Sequence, residues 1–143
     1  MNFYQLKQLE NEVVLADEIS KVVDLNFNPY VVRGSQNLLK KIGADMTVGN
    51  TVTCPGFYAP QGRLLRIPIR FPKLLEQMNY FHKDDFWLTN FEMETSAYYA
   101  FARLLGHEAI SVNAIIANRI KKKMMNNPNG VMDDLILKVL ERI

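Results

Sequence analysis

The sequence predicts an α/β fold, because segments with strand character alternate with segments of helical periodicity. β-Branched residues predict a strand over Thr51–Cys54, and an aromatic-rich run predicts an extended segment over Phe86–Phe91. Around these segments, apolar residues spaced three and four apart predict helices. The chain has 143 residues, 48% hydrophobic and 22% charged, so residues 1–143 are expected to form a single domain with one core.

The first 81 residues contain one ambiguous segment and two predicted helices. Met1–Val23 mixes apolar and acidic residues in a way that suits either a frayed helix or a strand. Tyr30–Val32 follows a proline and is expected to be extended. Ser35–Ile42 begins with a serine that can cap a helix and is followed by glycine, so a helix is predicted there. Pro72–Phe81 predicts a short helix with proline at its start.

The second half has the clearest helical pattern. Apolar residues at helical spacing predict a helix over Glu94–Leu105, which Gly106 terminates. Ala109–Ala117 is mostly apolar, as fully buried strands are, and is expected to be one. Asn126–Gly130 has the composition of a turn, and Met132–Ile143 predicts an amphipathic closing helix.

Composition and charge exclude several classes of protein. A formal net charge of +2 gives no reason to expect nucleic acid or an anionic membrane as a partner. No apolar stretch approaches the roughly 20 residues of a membrane span, and Met1–Glu12 is too charged for a signal peptide. Cys54 is the single cysteine, which excludes an internal disulfide and suits a reducing compartment. His82 and His107 have no partner at ligand spacing, so no metal site is expected. Together with the single cysteine and the lack of a signal-peptide pattern, this composition predicts a cytoplasmic protein.

The first candidate site is the loop Pro55–Gly62 together with the arginine that follows it. A uracil edge offers an acceptor, a donor and an acceptor, and the amide of Gln61 can donate to O2 while accepting from N3–H. The guanidinium of Arg63 can donate to O4, and it would stabilise the negative charge that develops on a departing base. Phe57 can stack on the ring. Considered alone, the same residues also fit an ordinary solvated loop.

The second candidate site is the acidic run Asn90–Thr95, where a predicted strand meets a predicted helix. Carboxylates are favoured at the positive end of a helix dipole, which gives Glu92 and Glu94 a purely structural explanation. An ionised glutamate can instead accept hydrogen bonds from two vicinal ribose hydroxyls. A third possibility is an acid/base pair, because the two glutamates share one face of an extended strand.

Three segments, in this order, resemble motifs of nucleoside phosphorylases of the uridine phosphorylase type. Pro55–Arg63 (PGFYAPQGR) resembles their uracil-reading loop, in which a Phe-Tyr pair precedes Gln-x-Arg. Asn90–Glu94 (NFEME) resembles their ribose motif, an aromatic residue followed by Glu-Met-Glu. Ala114–Arg119 (AIIANR) resembles the apolar strand beside the base, which ends in Asn-Arg. The resemblance implies the C-terminal half of the nucleoside phosphorylase fold, with a mixed central sheet flanked by helices in three αβα layers.

The resemblance also implies a role for each matched residue. The residues that would read or line the base are Phe57, Gln61, Arg63 and Ile116. The residues that would wall, bind or support the ribose are Phe91, Glu92, Met93 and Glu94. Arg63 would also act in catalysis by stabilising the leaving group. Purine-cleaving relatives have an Asp near the position of Asn118, so its absence here implies a pyrimidine nucleoside.

The implied enzyme is a pentosyltransferase of pyrimidine salvage that converts uridine to uracil and ribose 1-phosphate. Inorganic phosphate is its co-substrate, and no cofactor is implied. Family members are longer, and their phosphate-binding segments have no counterpart in this chain. We therefore expect the isolated chain to be inactive or nearly so, and its uncovered strand edges to favour a homo-oligomer. A non-catalytic nucleoside- or uracil-binding module and a nucleosidase that uses water are the alternatives.

Overall fold

A computed structural model describes residues 6–23, 27 and 29–143 of the chain. Within them are five α-helices and two small sheets. The helices are α1 (Glu10–Val23), α2 (Gln36–Ile42), α3 (Leu74–Tyr80), α4 (Thr95–Leu105) and α5 (Pro128–Leu140). The strands are β1 (Asn50–Thr53), β2 (His82–Lys83), β3 (Phe86–Glu92), β4 (Ala117–Asn118) and β5 (Lys123–Met124).

The main sheet has the strand order β1-β3-β2 and is mixed, because β1 pairs parallel to β3 and β2 pairs antiparallel to it. Thr53 therefore lies opposite Glu92, and the carboxyl ends of β1 and β3 meet at one edge of the sheet. Strands β4 and β5 form a separate antiparallel ribbon. In open α/β sheets, ligands bind beyond the carboxyl ends of parallel strands, so a binding site is expected at this edge.

The core lies where α1 and α3 pack together next to the main sheet. Its buried side chains are Ile19, Val23, Leu74, Met78 and Phe81. Val52 of β1 and Phe86, Leu88 and Phe91 of β3 pack against this cluster. The sheet is thereby fixed to the helices through its apolar residues, while its carboxyl edge remains open to polar groups.

The ambiguous N-terminal segment is a helix from Glu10 onward, and the structure shows why. The N–H of Leu9 donates to the Glu12 carboxylate at 2.7 Å, as in the capping box of a helix start. Glu12, Ala16, Ile19 and Val23 recur at intervals of four, three and four residues and are all buried. Met1 to Gln5, which belong to the same predicted segment, lie outside the described residues.

Most of the other predicted elements of the first hundred residues are confirmed. The hydroxyl of Ser35 accepts a hydrogen bond from the N–H of Leu38 at 3.1 Å, so it caps α2 as predicted. The helices predicted over Pro72–Phe81 and Glu94–Leu105 are present as α3 and α4, each slightly shorter. Gly106 ends α4 with a φ of 73°, a conformation that glycine adopts without strain.

Two predictions for the last third of the chain are wrong. Ala109–Ala117 is not a buried strand: only Ala117 is in a strand, and the segment is half-buried or exposed. The strand prediction rested only on the apolar composition of this segment. A strand also needs a partner strand, and none pairs with residues 109–116 in the described chain. The turn predicted over Asn126–Gly130 is partly helix, because the Asn127 side chain caps α5 by accepting from the N–H of Gly130.

Candidate functional site

The loop after β1 is tightly folded by its own main chain. The N–H groups of Gln61 and Arg63 both donate to the carbonyl of Tyr58, at 3.1 and 2.9 Å. Ala59–Gln61 form a turn of 3-10 helix, and Gly62 leaves it with a φ of 69°. This left-handed conformation reverses the chain at little cost in glycine and brings Arg63 back beside Gln61.

The side chains of Gln61 and Arg63 contact each other directly. Nη1 of Arg63 donates to Oε1 of Gln61 at 2.5 Å and also to the carbonyl of Phe57. The guanidinium lies over the ring of Phe57, with 3.8 Å between Cζ and the ring centroid. Gln61 is only 4% exposed. The two side chains predicted to read a base are therefore adjacent, and each is oriented by the other.

Arg119 is a third member of this group, and the sequence pattern did not assign it a role. Its Nη1 donates to the carbonyl of Gln61, and its Cζ lies 5.9 Å from the ring centroid of Phe91. Burial and the positive charge of Arg63 both lower the pKa of Arg119. Two guanidinium groups thus share one edge of the sheet, which favours negative charge there.

The end of β3 carries the second candidate group, and the two glutamates differ in their roles. Oε2 of Glu92 accepts from the N–H groups of Glu94 and Thr95, at 2.7 and 2.6 Å, and Oε1 accepts from the hydroxyl of Thr53. Although burial acts to raise it, these hydrogen bonds hold the pKa of Glu92 below its ordinary value. Glu92 is therefore an ionised acceptor at the start of α4, which does not suit a general acid.

Glu94 presents a different environment. It is exposed and stands at the N-cap position of α4, but its side chain caps no main-chain N–H. No ion pair or hydrogen bond of its carboxylate occurs among the described residues, and neighbouring Met93 is 41% exposed. The carboxylate is therefore available to a ligand at the same edge of the sheet.

Cys54 follows the last residue of β1, and its main chain is bonded to the end of β3. Its N–H donates to the carbonyl of Glu92 at 2.9 Å, so it continues the pairing of β1 with β3. Burial and the negative charge of Glu92 raise the pKa of its thiol to about 11, while Arg119 and Arg63 act in the opposite direction. The buried, protonated thiol has a structural role and is not an activated nucleophile.

The remaining predicted residues are less directly connected. Ile116 is half-buried, and its carbonyl accepts from the N–H of Met125 at 2.9 Å. It lies three residues before Arg119, whose side chain reaches the loop. His82 stacks on Trp87, with ring centroids 5.8 Å apart. Among the described residues no group of three His, Cys, Asp or Glu is placed to hold a metal ion.

A solved structure defines the class of this fold. The chain is similar to a nucleoside phosphorylase from Trypanosoma brucei, whose crystal structure is described as showing uridine phosphorylase activity. The TM-score is 0.84 at 22% sequence identity, and the match covers 98% of this chain but 52% of that one. No protein-family model matches the sequence, and no curated protein matches it.

The chain therefore has a nucleoside phosphorylase fold in part, and it spans about half the length of the solved structure that it matches. The fold class expected from the motifs is confirmed, including the mixed sheet with its helices. No helix within the described ranges is long and apolar enough to cross a membrane.

Proposed function

We propose that this chain binds the base and the ribose of a pyrimidine nucleoside, of which uridine fits best. The observation that carries the proposal is the pair formed by Gln61 and Arg63 at the carboxyl ends of two parallel strands. In a complete enzyme the bound nucleoside would undergo phosphorolysis. A phosphate oxygen would bond to C1′ while the C1′–N1 bond breaks, and uracil would leave with the electron pair and then take up a proton.

The hydrogen bond between Gln61 and Arg63 supports recognition of uracil. Because Oε1 of Gln61 faces Arg63, the orientation of the amide is fixed, and a carbonyl oxygen can still accept a second bond from N3–H. No hydrogen bond from Nε2 of Gln61 occurs in the described part of the chain, so this donor can serve O2 of the base. The remaining N–H groups of Arg63 can serve O4.

The charges of the site support a departing uracil anion. Arg63 lies close enough for its charge to lower the pKa of Arg119, and Arg119 is partly buried. Negative charge that develops on the base is stabilised more strongly than a neutral base, so the pair favours the transition state over the bound nucleoside. This leaving-group role is proposed for Arg63 first, because its guanidinium is bonded to the base-reading amide.

The ribose is assigned to the turn between β3 and α4. The exposed carboxylate of Glu94 can accept bonds from the 2′- and 3′-hydroxyls, and Met93 can contribute its main chain. Phe91 lies near Arg119 and can form the wall between base and sugar. Ile116 would add an apolar contact to the base. These assignments agree with the motif resemblance and follow the same edge of the sheet.

Titration calorimetry with uridine and cytidine tests the recognition. Cytidine carries an amino donor in place of O4 and an acceptor in place of N3–H, so it would oppose a donor to Arg63 and an acceptor to Oε1 of Gln61. A site that leaves polar groups unpaired rejects a ligand strongly, and we expect cytidine to bind at least about tenfold more weakly than uridine. Equal binding of the two nucleosides would refute the base assignment.

Product analysis separates three functions that share this site. Uridine is incubated with the purified chain, with and without phosphate, and the sugar product is identified. We propose that this chain alone binds the nucleoside without cleaving it, because the match spans about half of the solved phosphorylase. Ribose 1-phosphate would show that the chain is a phosphorylase by itself, and free ribose would show that it is a nucleosidase.

A further inference from the structure

Thr53 connects the end of β1 to the turn between β3 and α4, which carries the residues assigned to the ribose. It is the last residue of β1 and lies opposite Glu92 in the parallel pairing. Its hydroxyl donates to Oε1 of Glu92 and accepts from the N–H of Ser96 at 2.9 Å. One hydroxyl group therefore links the end of one strand to the end of the next and to the first turn of α4.

Together, Thr53 and Glu92 satisfy three consecutive N–H groups at the start of α4. Glu92 accepts from Glu94 and Thr95, and Thr53 accepts from Ser96. The first N–H groups of a helix have no partner inside the helix and need an acceptor from elsewhere. Because this pair supplies the acceptors, Glu94 stands at the N-cap position with its own carboxylate unused.

We propose that Thr53 is a positioning residue for ribose, a role that rests on the nucleoside-binding function proposed above. Its hydroxyl orients the Glu92 carboxylate, and Glu92 in turn holds the turn that carries Met93 and Glu94. Without the hydroxyl, Oε1 of Glu92 loses its donor and Ser96 loses its acceptor. The main chain of the turn would then be held less firmly, so the Glu94 carboxylate would be offered to the sugar from a less defined position.

The effect is confined to the sugar because the base-reading loop is held by other bonds. The N–H groups of Gln61 and Arg63 are bound to Tyr58, and the carbonyl of Gln61 is bound to Arg119. No hydrogen bond from the Thr53 side chain reaches this loop within the described residues. Loss of the hydroxyl should therefore separate the affinity for uridine from the affinity for uracil.

The test compares Thr53→Val, Thr53→Ser and Thr51→Val with the wild-type chain, by calorimetric titration with uracil and with uridine. Valine keeps the shape of threonine and favours a strand, whereas serine keeps the hydroxyl. Thr51 is the matched control. It lies in the same strand and bonds to Asn90 of β3, at 3.0 Å from the amide nitrogen, but contacts neither glutamate.

Thr53→Val is expected to weaken uridine binding about tenfold, because the bonds of the hydroxyl to the charged Glu92 and to the N–H of Ser96 are both lost. Uracil binding should stay within about twofold of wild type. Thr53→Ser should restore the uridine affinity, and Thr51→Val should change neither ligand. An equal loss for both ligands, or the same loss in Thr51→Val, would overturn the proposal. A wild-type chain that binds uracil but gains nothing from the ribose would overturn the ribose assignment itself.

Amide hydrogen exchange without ligand gives a second readout. In Thr53→Val the exchange of the Ser96 N–H should accelerate, while the N–H of Arg63 should exchange at the wild-type rate. Unchanged exchange at Ser96 would show that the hydroxyl does not hold the helix start, whatever the titrations give. If the wild-type chain binds neither ligand, the proposed function fails, and faster exchange then supports only the structural half of the argument.

Discussion

Polar side chains are bound by partners at the junction of the β1 and β3 carboxyl ends. In the C-terminal segment His107–Ile143, by contrast, apolar side chains are left exposed. At the junction, Thr53 and Glu92 bind each other and the main chain of α4. In the C-terminal segment, α5 has no buried residue, and large apolar side chains remain exposed. They include Ile115, Ile120, Met124, Ile136, Leu137 and Leu140, each at least 48% exposed.

The difference shows which part of the chain stabilises the fold. Helix α5 is attached mainly through its end, where Lys138 and Arg142 bind the Asp45 carboxylate at 2.7 and 2.6 Å and Arg142 also binds the carbonyl of Ile42. Ion pairs at the surface contribute little free energy, whereas apolar burial contributes much. The free energy of folding is therefore concentrated in α1, α3, α4 and the main sheet, and the candidate site lies at the carboxyl edge of that sheet.

A pair of leucine substitutions gives the largest expected effect. Leu74→Ala opens a cavity in the core, where the side chain is 6% exposed, and should lower the free energy of unfolding by about 3 kcal/mol. Leu137→Ala removes the same atoms from a residue that is 60% exposed on α5 and should cost less than about 0.5 kcal/mol. Urea unfolding measures both, and similar losses would contradict the comparison.

The ion pair between Glu12 and Arg103 is expected to come next. Two bonds of 2.6 and 2.7 Å join the groups, and the Glu12 side chain is 2% exposed while that of Arg103 is 27% exposed. Arg103→Leu leaves a buried charge unpaired and should cost about 2–3 kcal/mol, discounted for the exposure of Arg103. Lys21→Met, which breaks an exposed pair with Glu18, is the control and should change stability little.

The pH dependence of stability tests the same ion pair between Glu12 and Arg103. Burial acts to raise the pKa of Glu12, but bonds from Arg103 and from the N–H groups of Leu9 and Arg33 lower it overall. A carboxyl group whose pKa is lower in the folded state stabilises the protein above its ordinary pKa of 4.5 and loses that contribution as the pH falls below it. Glu12→Gln should therefore show a flatter decline than wild type below pH 4.5, measured by urea midpoints.

The smallest expected effect concerns the ring beneath Arg63. Phe57 is 51% exposed, and an exposed cation–π contact contributes modestly, so Phe57→Leu should weaken uracil binding about threefold. Tyr80→Leu, which removes another exposed ring from α3, should leave uracil binding unchanged. A loss above about thirtyfold would mean that Phe57 contributes more than the orientation of Arg63.

Features of the fold that depend on adjacent residues were predicted from the sequence. Features that depend on residues far apart in the chain were missed. The serine cap of α2, the glycine after α4 and the proline-rich loop all act over a few residues, so the sequence displays them. Ala109–Ala117 has the composition of a buried strand, but its state depends on which strand is available to pair with it. The Asn127 cap was also missed, because the proline after it suggested a turn before a helix start.

The candidate site was predictable to a similar extent. Gln61 and Arg63 are neighbours in the sequence and contact each other in the structure. Thr53 and Arg119 were given no role, because their importance arises from partners that are 39 and 58 residues away. The only hint for Arg119 was its place at the end of an Asn-Arg pair in a motif, and Thr53 had none beyond lying at a strand end.

Titration of the chain with uracil is the sharpest test of the base assignment, with Gln61→Ala/Arg63→Ala beside wild type and Arg66→Ala as the control. Arg66 is an exposed arginine three residues beyond Arg63, in the same connection between β1 and α3. We expect the double variant to lose at least about a hundredfold in affinity and Arg66→Ala to bind as wild type does, because hydrogen bonds to charged groups are lost only in the first. Equal binding of uracil by the double variant and the wild type would contradict the base assignment.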